Sequence, residues 1–225
     1  MDIGKALTFV TEDPKWQEKL LIGTGVLIVS TLLSVILVGI LGFLIVMGYS
    51  ILLLQNVRDN EPTPLPEWDQ WGDDLMRGFK LAVVAFVWAL PAVIFVIPSA
   101  VGGALVEGRG AAEFVGSTLI FCGSCLTVLY SLMVVAASPG FYIAFASDEQ
   151  ISTGLQFRSI LEWTWANIGQ VLLVAIVYLV ASFAISLVAS IVGTLLCVIG
   201  LIVTIPLGAL ITYLFQGHLY GQLAA

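Results

Sequence analysis

No charged residue occurs between Leu20 and Gln55. At 1.5 Å per residue one unbroken helix over that run would be about 52 Å long, against a hydrocarbon core about 30 Å thick. The run is too long for one upright crossing. It reads either as one strongly tilted span or as two short helices joined near Gly39 to Gly42. Counting cations decides between them. As a hairpin, it leaves Lys5, Lys15, Lys19, Arg58, Arg77, Lys80 and Arg158 on one side and Arg109 alone on the other; as one span, the eight cations divide four and four. Lys and Arg gather on the cytoplasmic side of membrane proteins, which favours the hairpin.

With 60% hydrophobic and 10% charged residues, the chain carries more apolar surface than a soluble domain of this size buries, so an all-α polytopic membrane protein is expected. Further spans are expected over Phe79 to Val106, kinked at Pro91 and Pro98, and over Phe114 to Ala137. There Ser138-Pro139-Gly140 breaks the helix and leaves Phe141 to Ser147 as a separate turn. Ile168 to Val192 and Leu195 to Phe215 complete six, joined around Gly193-Thr194. Nothing at the amino terminus has the form of a cleaved signal. The chain is expected to be one membrane domain over residues 1–225, built as three hairpins (1–56, 57–147, 148–225), each introduced by an amphipathic interfacial segment. Both termini are then cytoplasmic.

The exception to this apolar character is the stretch from Pro62 to Lys80. Pro66 suits the first position of a helix, with Glu67 and Asp69 near its positive end. Trp68, Trp71 and Leu75 then share one face, and Glu67, Asp69, Asp73 and Asp74 turn to water. A helix lying on the membrane surface is expected. Near the amino terminus Ile3, Ala6, Leu7 and Val10 form a similar apolar face, and Asp13 is placed to cap the next helix, with Pro14 after it. Trp16, Trp68, Trp71, Trp163 and Trp165 all fall at one expected interface. Together Trp16, Pro66, Glu67, Trp68, Asp69, Trp71, Trp163 and Trp165 make a Trp-rich acidic collar for contact with lipid or a partner.

Little else suggests chemistry. Cys122-Gly123-Ser124-Cys125 lies inside an apolar run, without the cationic surroundings that stabilise a thiolate, and reads as packing. His218 is the only histidine, too few for a metal site, and reads as interfacial. Carboxylates spaced along a surface helix read as solvation more than as a cation site. A net charge of -7 argues against nucleic acid. Ser182, Ser186 and Ser190, with Thr194, recur every four residues as a small-residue ridge for helix packing. No cofactor, metal ligand set or catalytic residue is expected.

Asp13-Pro14-x-Trp16 before Lys19-Leu20-Leu21-Ile22-Gly23, then Gly48-Tyr49, Arg58, Leu65-Pro66-Glu67-Trp68-Asp69 and Gly78-Phe79-Lys80, resembles an uncharacterised family of prokaryotic multi-pass membrane proteins classed as a domain of unknown function. The specific likeness covers residues 13 to about 80. The family often carries proline between its first two apolar halves, where this chain has Gly39 and Gly42. The resemblance implies a cell-membrane protein of a bacterium or archaeon and brings no activity with it.

The sequence therefore points to a non-enzymatic protein, an accessory or scaffold subunit packing against membrane lipids and a membrane-protein partner or a second copy of itself. The alternative is a carrier or flippase-like protein for an apolar or lipid substrate, using helices broken at Pro91, Pro98, Pro139 and Pro206. No ionisable group lies within the spans to couple such transport to a proton or ion.

Overall fold

A computed structural model describes residues 2–197 and 199–225; the first residue of hairpin one and Val198, expected in the sixth span, lie outside them. The chain forms α1 (Ile3–Glu12), α2 (Trp16–Leu33), α3 (Gly39–Arg58), α4 (Trp71–Val106), α5 (Ala111–Asp148), α6 (Ile151–Gly154), α7 (Phe157–Ala166), α8 (Ile168–Leu195) and α9 (Leu201–Ala224), with a 3-10 turn at Ser34–Ile36. No strand occurs among the described residues, and α2 to α5, α8 and α9 are each long and apolar enough to cross a membrane. Both ends of the chain meet: the Asp2 amide donates to Gln222 Oε1 at 2.7 Å, and Gln222 Nε2 donates to the Asp2 carbonyl at 2.9 Å. This end of the bundle is called the terminal end below.

The charge-free run is a hairpin. Its reversal differs from the expected one: the chain turns through Ser34–Ile36 and Leu37, which takes φ +63, not through Gly39 to Gly42. The glycines serve close approach instead. A Cβ on Gly39 would collide with the Ser30 carbonyl, and one on Gly42 with the Ser30 hydroxyl. At the middle of α3 a Cβ on Gly48 would strike the Asp74 carbonyl, and one on Gly78 of α4 the Leu44 carbonyl. These glycines let α3 and α4 cross backbone to backbone.

Three further expectations change. The helices continue through Pro91, Pro98, Pro139 and Pro206 without interruption. At Pro139 the carbonyl of Val135 loses its usual amide donor, and the Ser138 hydroxyl takes that place at 2.8 Å. Residues 141–147 therefore belong to α5. Second, α8 runs through Gly193 and Thr194 to Leu195, α9 begins at Leu201, and Cys197 between them takes φ +60. Third, α4 begins at Trp71, so Pro66 to Gln70 is a loop and no surface helix starts at Pro66.

The packed core lies towards the terminal end. Helix α3 sits between α2, α4 and α9, and α9 between α2, α3 and α8. Ile51, Leu54, Leu81, Trp88, Phe145 and Leu219 form one buried cluster; Phe9, Leu27, Tyr49, Leu53, Trp68 and Leu214 form a second. Towards the opposite end the α4–α5 and α8–α9 pairs stand apart, and residues such as Phe114, Phe121, Phe183 and Leu195 are exposed. In a bilayer these faces meet hydrocarbon.

Candidate functional site

Two sequence motifs far apart in the chain form one unit at the terminal end. Lys19, one turn into α2, is buried; its Nζ lies 2.7 Å from Asp13 Oδ2, 2.8 Å from the Leu65 carbonyl and 3.2 Å from Glu67 Oε1. The Lys19 carbonyl accepts from Trp68 Nε1 at 2.9 Å. Asp13 does not cap α2 as expected. It follows the end of α1, where Oδ1 accepts the Lys15 amide at 2.7 Å and Oδ2 holds Lys19. Burial opposes charge on Asp13, but the bonds from the Lys19 side chain and Lys15 amide outweigh it and hold the carboxyl below its ordinary range.

From α3, the Tyr49 hydroxyl donates to the Pro66 carbonyl at 2.7 Å and Asn56 Nδ2 to the Pro64 carbonyl at 2.9 Å. Trp68 stacks on Tyr49 and reaches Gly23 on α2. Its expected place on a membrane-facing helix stripe is thus corrected: it is a buried plug between α2, α3 and α9. Pro66 and Glu67 are held in the loop, with Lys15 3.6 Å from Glu67, while Asp69 is exposed. Trp71 is exposed where α4 begins, Trp16 and Trp163 are half-buried, and Trp165 is 78% exposed.

A second charged knot ties the ends of α3, α4 and α5. Arg77 is buried and bridges Asp74 Oδ1 and Glu149 Oε1, each at 2.8 Å. Gln55 Nε2 reaches Glu149 at 3.1 Å and the Ala146 carbonyl at 2.9 Å. Glu149 ends α5 at φ +56. Burial opposes its charge, and the bonds from Arg77 and Gln55 outweigh that and hold its carboxyl below the ordinary value.

The remaining candidates separate. His218 is buried, stacked on Phe9 at 4.3 Å, with Nδ1 3.1 Å from Gln222 Nε2; its ring is packed inside the protein. Phe9, absent from the expected apolar face of α1, is the buried anchor there with Ala6, while Leu7 is exposed. Ser186 and Ser190 are exposed and Ser182 half-buried on α8. Within this chain α8 meets α9 through the neighbouring stripe of Ile185, Ala189 and Gly193, against Gly208 and Thr204. Cys122, Cys125 and Cys197 are free and exposed. No grouping of metal-ligating side chains occurs among the described residues.

Lys19, Asn56, Asp74 and Gln55 carry this architecture, and pattern reading missed their roles. A lysine immediately before a charge-free run was the available signal. The hydroxyls of Ser30, Thr31, Ser50 and Thr127 each donate to a carbonyl three or four residues earlier in their own helix.

A family model described as protein of unknown function (DUF4013) matches residues 31–198. The motifs from Gly48 to Lys80 fall inside that region; Asp13 to Gly23 precede it. No curated protein matches the chain, and no solved structure does.

Proposed function

The chain belongs to the DUF4013 family of proteins of unknown function, and from that premise we propose that it is a non-enzymatic accessory or scaffold subunit of a prokaryotic cell membrane, acting through surfaces. The excess of Lys and Arg at the terminal end supports a cytoplasmic location for that end and for both termini. One observation carries the reading. Within the collar Glu67 is tied to Lys15 and Lys19, and beside it Trp71, Met76 and Phe79 on α4 are 41%, 55% and 52% exposed, next to the exposed Asp69 and Asp73. Exposed aromatic and Met side chains next to an acid suit lateral contact with a membrane protein whose cytoplasmic edge is basic.

The test is photo-crosslinking from residue 71 in intact cells, with residue 121 on the opposite half as control. One recurrent membrane-protein adduct at 71, lost in M76D, supports the reading; lipid adducts alone at both positions overturn it.

A further inference from the structure

We propose that the groove between α5 and α7 holds one phospholipid with a primary-amine headgroup. It rests on the surface-acting reading above and names one lipid that such a surface would bind. The groove is an open cleft of about 780 Å³, within the roughly 300–1,000 Å³ of ligand sites. Its floor is Leu132, Met133 and Ala136 of α5, and its wall is Leu161, Glu162 and Trp165 of α7.

The placement selects a lipid. Helix α7 ends at Ala166 and α8, free of charge, begins at Ile168, so α7 lies at the level of the headgroups. Its Trp165, 78% exposed, has the amphipathic ring favoured at that depth. Going from Ala136 back to Leu132 moves along α5 away from the terminal end, the direction in which acyl chains run. Helix α7 is held against α5 by Ile160 and Thr164, which approach Gly140, and Thr164 also lines the groove.

The charges select the headgroup. Arg158, Leu161, Glu162 and Trp165 are spaced i, i+3, i+4 and i+7 and share one face of α7. Arg158 Nε lies 2.8 Å from Glu162 Oε1, with side chains 93% and 65% exposed, a pair worth little by itself in water. A zwitterionic headgroup satisfies both members: the phosphate accepts from the guanidinium, as Arg geometry favours, and the ammonium donates to Glu162. A choline headgroup lacks N–H donors, and a glycerol headgroup lacks the cation.

The full chain is placed in nanodiscs of equimolar phosphatidylethanolamine, phosphatidylglycerol and phosphatidylcholine with matched acyl chains, and its retained lipid is read by native mass spectrometry. The expected result is one retained phosphatidylethanolamine, favoured about threefold or more, the size an exposed charge pair supports. R158Q and E162Q should each abolish the preference, and A136W should lose the retained lipid. Both charge variants alter exposed side chains, and unchanged melting confirms their fold. Retention in the ratio supplied, or E162Q behaving as wild type, overturns the proposal. The assay contains no protein partner, so its failure is separable from failure of the crosslinking at residue 71.

Discussion

The ring of Trp68 lies parallel to that of Tyr49, centroids 3.9 Å apart and planes inclined by 10°, so a loop residue completes the core between two crossing helices. Tyr49 also binds the Pro66 carbonyl, and Trp68 the Lys19 carbonyl. The loop before α4 is thereby fixed to both helices of the first hairpin.

Lys19→Met should destabilise the protein by about 3–5 kcal/mol, the cost of leaving one buried member of an ion pair unpaired, here Asp13. Lys15→Ala removes a cation whose side chain is 62% exposed and should cost less than about 1 kcal/mol. Thermal unfolding in one detergent compares the two. Equal losses would mean that the Lys19 cluster is not what holds the loop.

Gly78→Ala should be the more damaging of two glycine substitutions. Its methyl group meets the Leu44 carbonyl, whereas nothing lies within 4 Å of a Cβ on Gly25. Overpacking of this kind costs about 1–3 kcal/mol, while Gly25→Ala gains helix propensity by up to about 1 kcal/mol. Melting temperatures should therefore move in opposite directions.

Acid should loosen the terminal end first. Asp13 and Glu149 have folded-state carboxyls below their ordinary values, so the stability they contribute is present above the unfolded carboxylate range of about 4. It is lost as pH falls through their depressed folded values. Melting followed from pH 7 downwards should fall in that window, and Asp13→Asn should flatten the slope there. An unchanged slope in D13N would remove Asp13 from the explanation.

Topology has a direct readout. In a background lacking Cys122, Cys125 and Cys197, G4C and N60C should react with an impermeant thiol reagent only after the cells are opened, and A111C in intact cells. Gly4 reacting together with Ala111 would contradict the even number of crossings.

Much of the architecture is legible in the sequence for one reason: hydrocarbon excludes charge, so the charge-free stretches from Lys19 to Arg58, from Lys80 to Glu107, from Glu113 to Asp148 and after Glu162 mark the crossings. Reversals were harder. Leu37 and Cys197 adopt left-handed backbone in positions where glycine is the residue a reader looks for, while Gly39 and Gly193 were selected by helix contact. Proline misled for a related reason: Ser138 supplies to the Val135 carbonyl the bond that Pro139 withholds. The collar was located by its composition, but its internal geometry was not, because Lys19 and Glu67 are distant in sequence and only the folded hairpin brings them together.

The central position of α9 sets an order of assembly. It follows α1 to α8 in the chain, yet α2 and α3 both pack against it, and Leu210 fills the space over Gly23 beside Trp68. The first hairpin must therefore wait in the bilayer with that flank against lipid until α9 is inserted, which makes the arrival of that helix the step that commits these helices to their native packing.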